Sequence, residues 1–232
     1  MLDRYSITAT SEKLAERFSV DVPNGYAPRY NAVPSQLLPI ITSDSPQGIS
    51  FFYWGIVPAW SKNRSISERI INLKADQIAE RPIVLKNLKK RRCIIPADGF
   101  YGFKKVGKKI TIPYRFILRS KKLFSFAGIW EEYDDDEGNF FHTFSIITLP
   151  ANEMVKGTSD TMPVIFEATS EKIWLDKNST ETELLKLLSP IADDAIDSYT
   201  ISSQIFLSAN DGPSLILPTP PSDQFGNLTL FD

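Results

Sequence analysis

Arg91-Arg92-Cys93-Ile94-Ile95-Pro96-Ala97-Asp98-Gly99-Phe100-Tyr101-Gly102-Phe103 is the stretch on which the reading of the fold turns. A basic pair feeds a short apolar run that stops at Pro96. Asp98-Gly99 then calls for a tight turn, because glycine accepts backbone angles that side chains forbid. An aromatic run follows and ends in the basic cluster Lys104-Lys105-Val106-Gly107-Lys108-Lys109. The order is strand, turn, strand. It suits either a hairpin beneath a binding surface or the plain edge of a barrel, with Asp98 as the ionisable group at its tip.

Outward from this stretch, short strands dominate. Tyr5 and Ile7 share a strand face, and Ser11 is expected to cap a helix through about Phe18. The segment from Ala27 to Gln36 is extended, since its prolines exclude a helix. Leu37 to Thr42 and Ile49 to Trp54 read as strands. Asn72, directly after two isoleucines, should be half-buried and hydrogen-bonded. Leu85 to Lys90 has helical spacing with a basic outer face. Further on, Tyr114 to Arg119 and Leu123 to Ala127 suggest a hairpin, and Phe140 to Thr148 a strand after an acidic turn. Pro150 is expected to open a short helix, Met162 to Phe166 is a strand, and Ser170 is expected to cap a helix around Trp174. Thr180 with Glu183 forms a capping box for Glu181 to Leu188. The sum is α+β: a single domain built on an antiparallel, barrel-like sheet with peripheral helices. Its expected bounds are residues 1–217, with a Pro-rich arm or tail over residues 218–232.

Composition limits the function classes. With 232 residues and 42% hydrophobic content, the chain can bury one good core. No run approaches the roughly 18 apolar residues of a membrane span, and no secretory leader is expected. The single cysteine, Cys93, excludes an internal disulfide framework, so a reducing, cytoplasmic setting is the expectation. One cysteine and one histidine, His142, argue against a metal site of the Cys/His kind, and no cofactor is expected. In its apolar run Cys93 reads as an inert core thiol, and His142 as a solvent-facing edge residue. The net charge of −2 hides an asymmetry: residues 1–122 carry 22 Lys and Arg against 9 Asp and Glu, residues 123–232 carry 4 against 19. A basic half of this kind either meets an anionic polymer or faces its acidic counterpart within the fold. Trp54 and Trp60 around a Gly/Pro bend are either core cover or a platform for stacked bases.

Several segments, taken in order, resemble the SRAP family (SOS response-associated peptidase). They are Arg29-Tyr30-Asn31-Ala32-Val33-Pro34, the bend from Trp54 to Trp60, Ile71-Asn72-Leu73-Lys74-Ala75, and the stretch from Arg92 to Tyr101. Phe126-Ala127-Gly128-Ile129-Trp130-Glu131, Ile146 to Asn152, Asp160 to Ile165 and Asn210 to Ile216 extend the match to most of the chain. The resemblance implies a barrel-like α+β fold with a groove for single-stranded DNA, a place in the DNA damage (SOS) response, and covalent crosslinking to abasic sites. It implies a cysteine directly after the initiator methionine, whose amine and thiol close a thiazolidine on the sugar aldehyde, assisted by an asparagine, a glutamate and a histidine. The family's peptidase label comes from the same cysteine.

This chain departs from that pattern at three of the four positions. Leu2 stands at the cysteine position, Gly102 at the glutamate and Ser159 at the histidine, and Asn72 alone is kept. The family's first arginine is kept as Arg4; Lys74 and Thr161 replace two others. Leu2 is too large for ordinary methionine trimming, so Met1 is expected to stay. Its α-amine can form a Schiff base but, without a thiol, no five-membered ring. Gly102 removes a general acid or base, and Ser159 cannot titrate as an imidazole does. The expectation is a monomeric pseudoenzyme: it binds single-stranded, junction or abasic-site DNA through Arg4, Asn72, Lys74, Trp60 and Pro34, and has lost the crosslinking reaction. The competing readings are residual Schiff-base or lyase activity at the Met1 amine, and a non-catalytic interaction module that docks through the Pro-rich tail.

Overall fold

The computed structural model describes residues 1–55, 71–134 and 140–228; Trp60 and the acidic turn beyond Asp134 lie outside them. Two sheets share one large core. The first has five strands in the order β13-β8-β7-β1-β2, all antiparallel: Ile196–Thr200, Ile110–Leu118, Gly99–Val106, Tyr5–Ile7 and Arg29–Ala32. The second runs β11-β10-β4-β3-β6-β9-β12: Thr161–Pro163, Phe140–Pro150, Ser50–Trp54, Leu37–Thr42, Arg92–Ala97, Phe124–Asp134 and Ile165–Phe166. β9 also pairs with β10 from Asp134↔Phe140 to Gly128↔Ile146, so β10, β4, β3, β6 and β9 close into a ring. Closure removes the exposed edges that an open sheet would have to protect. The barrel-like α+β fold is as expected, but β10 meets both β4 and β5 (Asn72–Lys74) in parallel. Peripheral helices are α1 (Ser11–Phe18), α2 (Pro82–Lys90), α3 (Glu153–Lys156), α4 (Ala168–Leu175) and α5 (Glu181–Lys186).

The stretch from Arg91 to Phe103 is strand, corner, strand rather than a hairpin. β6 pairs with β3 and β9 in one sheet, and β7 pairs with β1 and β8 in the other. The apolar run continues through Pro96 to Ala97, and all six residues of β6 are buried. Asp98 is the corner itself. Its carboxylate accepts from Ser6 Oγ (2.7 Å), Thr8 N (2.5 Å), Thr8 Oγ1 (2.6 Å) and Arg115 Nη2 (2.8 Å), which ties β1 and β8 to the junction. Gly99 is required there for space rather than for its backbone angles, since a Cβ would lie 2.7 Å from Arg115 Nε. The true hairpin is β7–β8, turned by Gly107 at φ 62°. The expected pairing of Tyr114–Arg119 with Leu123–Ala127 does not form, because β8 and β9 belong to different sheets.

Helix starts show the same local-against-global contrast. Thr180 and Glu183 make both bonds of the capping box. At α1 the cap is Thr10, whose side chain accepts from Lys13 N, and Ser11 is the first helical residue. Pro150 ends β10, and Asn152 caps α3 instead; Glu167, not Ser170, precedes α4. His142 lies inside β10, between β9 and β4, stacked 4.6 Å from Phe52 and 3.0 Å from Glu132. It is therefore not an edge residue. Cys93 is fully buried, and burial pushes its thiol well above the ordinary range.

The segment beyond Leu217 lies against the body, with Thr219 N donating to Thr200 O at 3.0 Å. Gln224 Oε1 accepts from Thr111 N (2.7 Å), its Nε2 donates to Lys109 O (2.6 Å), and Ser222 and Asp223 are buried.

Candidate functional site

The N-terminus is delivered to the site by β1, which lies between β7 and the edge strand β2. Register with β7 fixes Tyr5 opposite Phe100 and Ser6 opposite Gly99, which leaves residues 1–4 running beside Tyr101 and Gly102. Leu2 is buried at 3% exposure, and its carbonyl accepts from Asn72 Nδ2 at 2.6 Å. The Met1 amine donates to Ser159 Oγ at 3.2 Å. Ser159 Oγ in turn donates to Thr161 O (2.8 Å) and accepts from Thr161 N (3.3 Å), which leaves one lone pair for the amine. Four positions expected to define the site, residues 2, 72, 102 and 159, are therefore brought together around the first residues of the chain.

A cleft of about 540 Å³ opens beside this cluster, lined by Met1, Asp3, Tyr101, Gly102, Phe103, Lys105, Lys156, Gly157, Thr158, Ser159 and Asp160. Its wall at Gly102 is filled from across the cleft: a Cβ there would meet Thr158 Oγ1 at 2.3 Å and Phe116 Cε2 at 2.8 Å. Thr158 Oγ1 donates to Val155 O at 2.9 Å, which fixes it against the glycine. A second hollow of about 170 Å³ lies on the other side of Asn72, between Asn72, Leu73, Lys74, Gln77, Ile78, Arg81 and Val84. Lys74 and Arg81 are exposed there.

The remaining expected site residues are dispersed in role. Arg4 is half-buried: its guanidinium donates to Asn31 Oδ1 (3.0 Å) and Phe206 O (3.3 Å), and burial lowers its pKa. Pro34 is partly exposed at the end of β2, next to Ser35 in the left-handed region at φ 70°. Trp60 falls outside the described residues.

Asp3 is the residue that sequence reasoning missed. It lines the cleft, its Oδ1 is buried with no hydrogen-bond partner among the described residues, and burial raises its pKa above the ordinary 3.8, with Arg4 and the N-terminal amine opposing that rise. Asn72 Oδ1 is likewise buried without a partner among the described residues. Buried acceptors of this kind cost free energy unless something satisfies them. Tyr5 Oη, Trp130 Nε1 and Thr219 Oγ1 are further buried polar atoms without a partner among the described residues. The only hint in the sequence was an acidic residue between Leu2 and Arg4, and its burial depends on contacts more than 90 residues away.

Comparison with known proteins gives this geometry a lineage. The family model described as SOS response associated peptidase (SRAP) matches residues 1–207. The chain belongs to that family. Among curated relatives, "Abasic site processing protein YoqW" of Bacillus subtilis is 38% identical over 221 residues, covering 93% of this chain and 99% of that protein. "Abasic site processing protein YoaM" of the same organism is 37% identical over 221 residues, with 93% and 97% covered. A solved structure from Bacteroides thetaiotaomicron superposes with a TM-score of 0.83 at 29% identity, covering 93% of this chain and 99% of that one.

Proposed function

We propose that this chain is a DNA-binding protein of abasic-site metabolism that engages single-stranded or junction DNA without forming a stable thiazolidine crosslink. The observation that carries the reading is the preserved geometry of the N-terminus. Met1 rests on Ser159 and Leu2 on Asn72 in the cleft beside Gly102, yet position 2 holds a buried leucine. The arrangement has no thiol to close a ring, no carboxylate at 102 and no imidazole at 159. The names of the relatives, abasic site processing proteins, give the lesion as the object of recognition.

Binding draws on the basic side. Lys74 and Arg81 border the hollow beside Asn72, and Lys105 and Lys156 border the cleft. Exposed cations such as these take phosphates and release counterions, which supplies affinity without sequence preference. Arg4 is spent on Asn31 and Phe206, so its contribution is to hold the strand rather than to touch DNA.

The test pairs two gels on one abasic single-stranded oligonucleotide. A native gel at low salt is expected to show a complex, and a denaturing gel after heating no adduct. A heat-stable adduct would remove the second half of the reading, and no complex at low salt the first. Lys74→Ala should flatten the salt dependence on single strands by about 0.7 in the log–log slope. An unchanged slope would take Lys74 out of the interface.

A further inference from the structure

We propose that the hollow where α2 ends is a binding site for a phosphate monoester, separate from the N-terminal cleft. It has a volume of about 390 Å³ and is lined by Ser43, Asp44, Lys89, Lys90, Arg91, Trp130 and Lys177. None of these residues lines the cleft beside Met1 or the hollow beside Asn72. The cations come from two distant stretches of chain: Lys89, Lys90 and Arg91 from the end of α2, and Lys177 from just past α4.

Cations at the end of a helix ordinarily complement the negative end of its dipole. Here another residue already does so. The buried Arg92 guanidinium donates to Leu88 O and Lys89 O at the end of α2, and to Trp174 O and Asp176 O at the end of α4. Arg91 N closes Asn87 O at 2.6 Å. The side chains of Lys90, Arg91 and Lys177 are therefore surplus to the helix ends.

The charge balance selects the ligand. Lys89 pairs with Glu181 and Lys177 with Asp44, each at 2.8 Å, and each ammonium keeps further donors free of that pair. Lys90 and Arg91 have no carboxylate partner among the described residues, which leaves two positive charges uncompensated. A phosphate monoester carries about −1.5 to −2 at neutral pH and presents three strong acceptor oxygens. A backbone phosphodiester, with a single charge, meets only half of the excess. Trp130 forms the remaining wall. It is 9% exposed, the Arg91 guanidinium lies 5.1 Å from its ring centroid, and its Nε1 is buried without an acceptor among the described residues. The hollow is rich in donors and short of acceptors, and acceptors are what an oxyanion brings. A small phosphate ester and the phosphorylated end of a nucleic acid strand both present this dianion.

Trp130 makes the site its own reporter, because a ligand on Arg91 alters the cation–π pair. The full chain is titrated at constant ionic strength with inorganic phosphate, a nucleoside 5′-monophosphate, the methyl diester of that nucleotide and a 5′-phosphorylated trinucleotide. A saturable change in tryptophan fluorescence is expected with phosphate and with the monophosphate, and none with chloride. Lys90→Ser and Lys177→Ser should each weaken binding by about fivefold or more. Lys13→Ser, which removes a cation from the exposed face of α1, should leave it within about twofold. Tighter binding of the trinucleotide than of the monophosphate would assign the ligand to a strand end, and the reverse order to a small ester. Absence of a saturable change, wild-type affinity in both Lys90→Ser and Lys177→Ser, or a signal that survives Trp130→Phe would overturn the site. Equal affinity for the monophosphate and its methyl diester would overturn the choice of a monoester.

Discussion

Gly102 and Thr158 are expected to behave as a locked pair, and the energy of that lock can be worked from the cleft wall. A methyl at 102 would lie 2.3 Å from Thr158 Oγ1, 2.9 Å from Thr158 Cβ and 2.8 Å from Phe116 Cε2. Comfortable carbon contacts begin near ~3.5 Å. Rotating the threonine removes only the first clash, because its Cβ is also too close. The backbone around Thr158 must therefore move by about 1 Å and give up the bond to Val155 O, a loss of about 1 kcal/mol. Overpacking adds about 1–3 kcal/mol, and the lower chain entropy of alanine returns about 0.4–1 kcal/mol. Gly102→Ala should then cost about 1–3.5 kcal/mol net. In Gly102→Ala/Thr158→Gly the clash with residue 158 is gone, so the pair should be more stable than the sum of its singles by about 1–2 kcal/mol. Urea unfolding followed by tryptophan fluorescence gives all four corners of the cycle, with Trp54, Trp130 and Trp174 as buried reporters. Additivity within about 0.5 kcal/mol would refute the reasoning. Any side chain larger than hydrogen at position 102 meets the same two neighbours, Thr158 and Phe116.

Asp3 carries a signed pH prediction. Its folded pKa lies above its ordinary value of 3.8, so folding favours the protonated form, and stability is lost as pH rises from that value through the raised one. Asp3→Asn should remove this loss, and urea midpoints for the two proteins should converge at the acid end and separate above it. Arg92 is 1% exposed and donates to Trp174 O (2.5 Å), Leu88 O (2.8 Å), Lys89 O (2.8 Å) and Asp176 O (2.8 Å), so it closes the C-terminal ends of α2 and α4 together. Arg92→Met should cost about 3 kcal/mol or more, seen as a lower urea midpoint, because four carbonyls lose their donors. Cys93 should resist iodoacetamide in the native protein and react only in denaturant; labelling of the folded chain at an ordinary thiol rate would contradict its burial.

What the residues disclosed in advance was mostly local. β3 and β4 were legible because each is a short apolar run bounded by turn residues, and Thr180 with Glu183 because a capping box is complete within four positions. Pairing was not legible. β6 and β7 adjoin in sequence and suggest a hairpin, but apart from the local β7–β8 turn their partners, β3, β9 and β1, lie up to about 100 residues away, and only the closed core selects them. The same limit applies to the site. Asn72, Leu2, Gly102 and Ser159 could be named because ordered segments resemble a family. Asp3 and Thr158 could not, since nothing in their neighbourhoods announces that one will be an orphaned carboxylate and the other a plug. The charge asymmetry has a partial resolution in long-range ion pairs between the two halves, Arg17 with Glu171, Lys89 with Glu181 and Arg29 with Asp211.

The position of β1 between β2 and β7 has a bearing on synthesis. Tyr5 must pair with Ala32 on one side and with Phe100 on the other, so β1 remains half-partnered until β7 has emerged. Closing a loop of that length delays the reward of the contact, as it does for other non-local pairings. The segment that enters the cleft is therefore fixed on both sides only after β7 is made. The contact between the Met1 amine and Ser159 thus depends on a pairing that spans nearly 100 residues of chain.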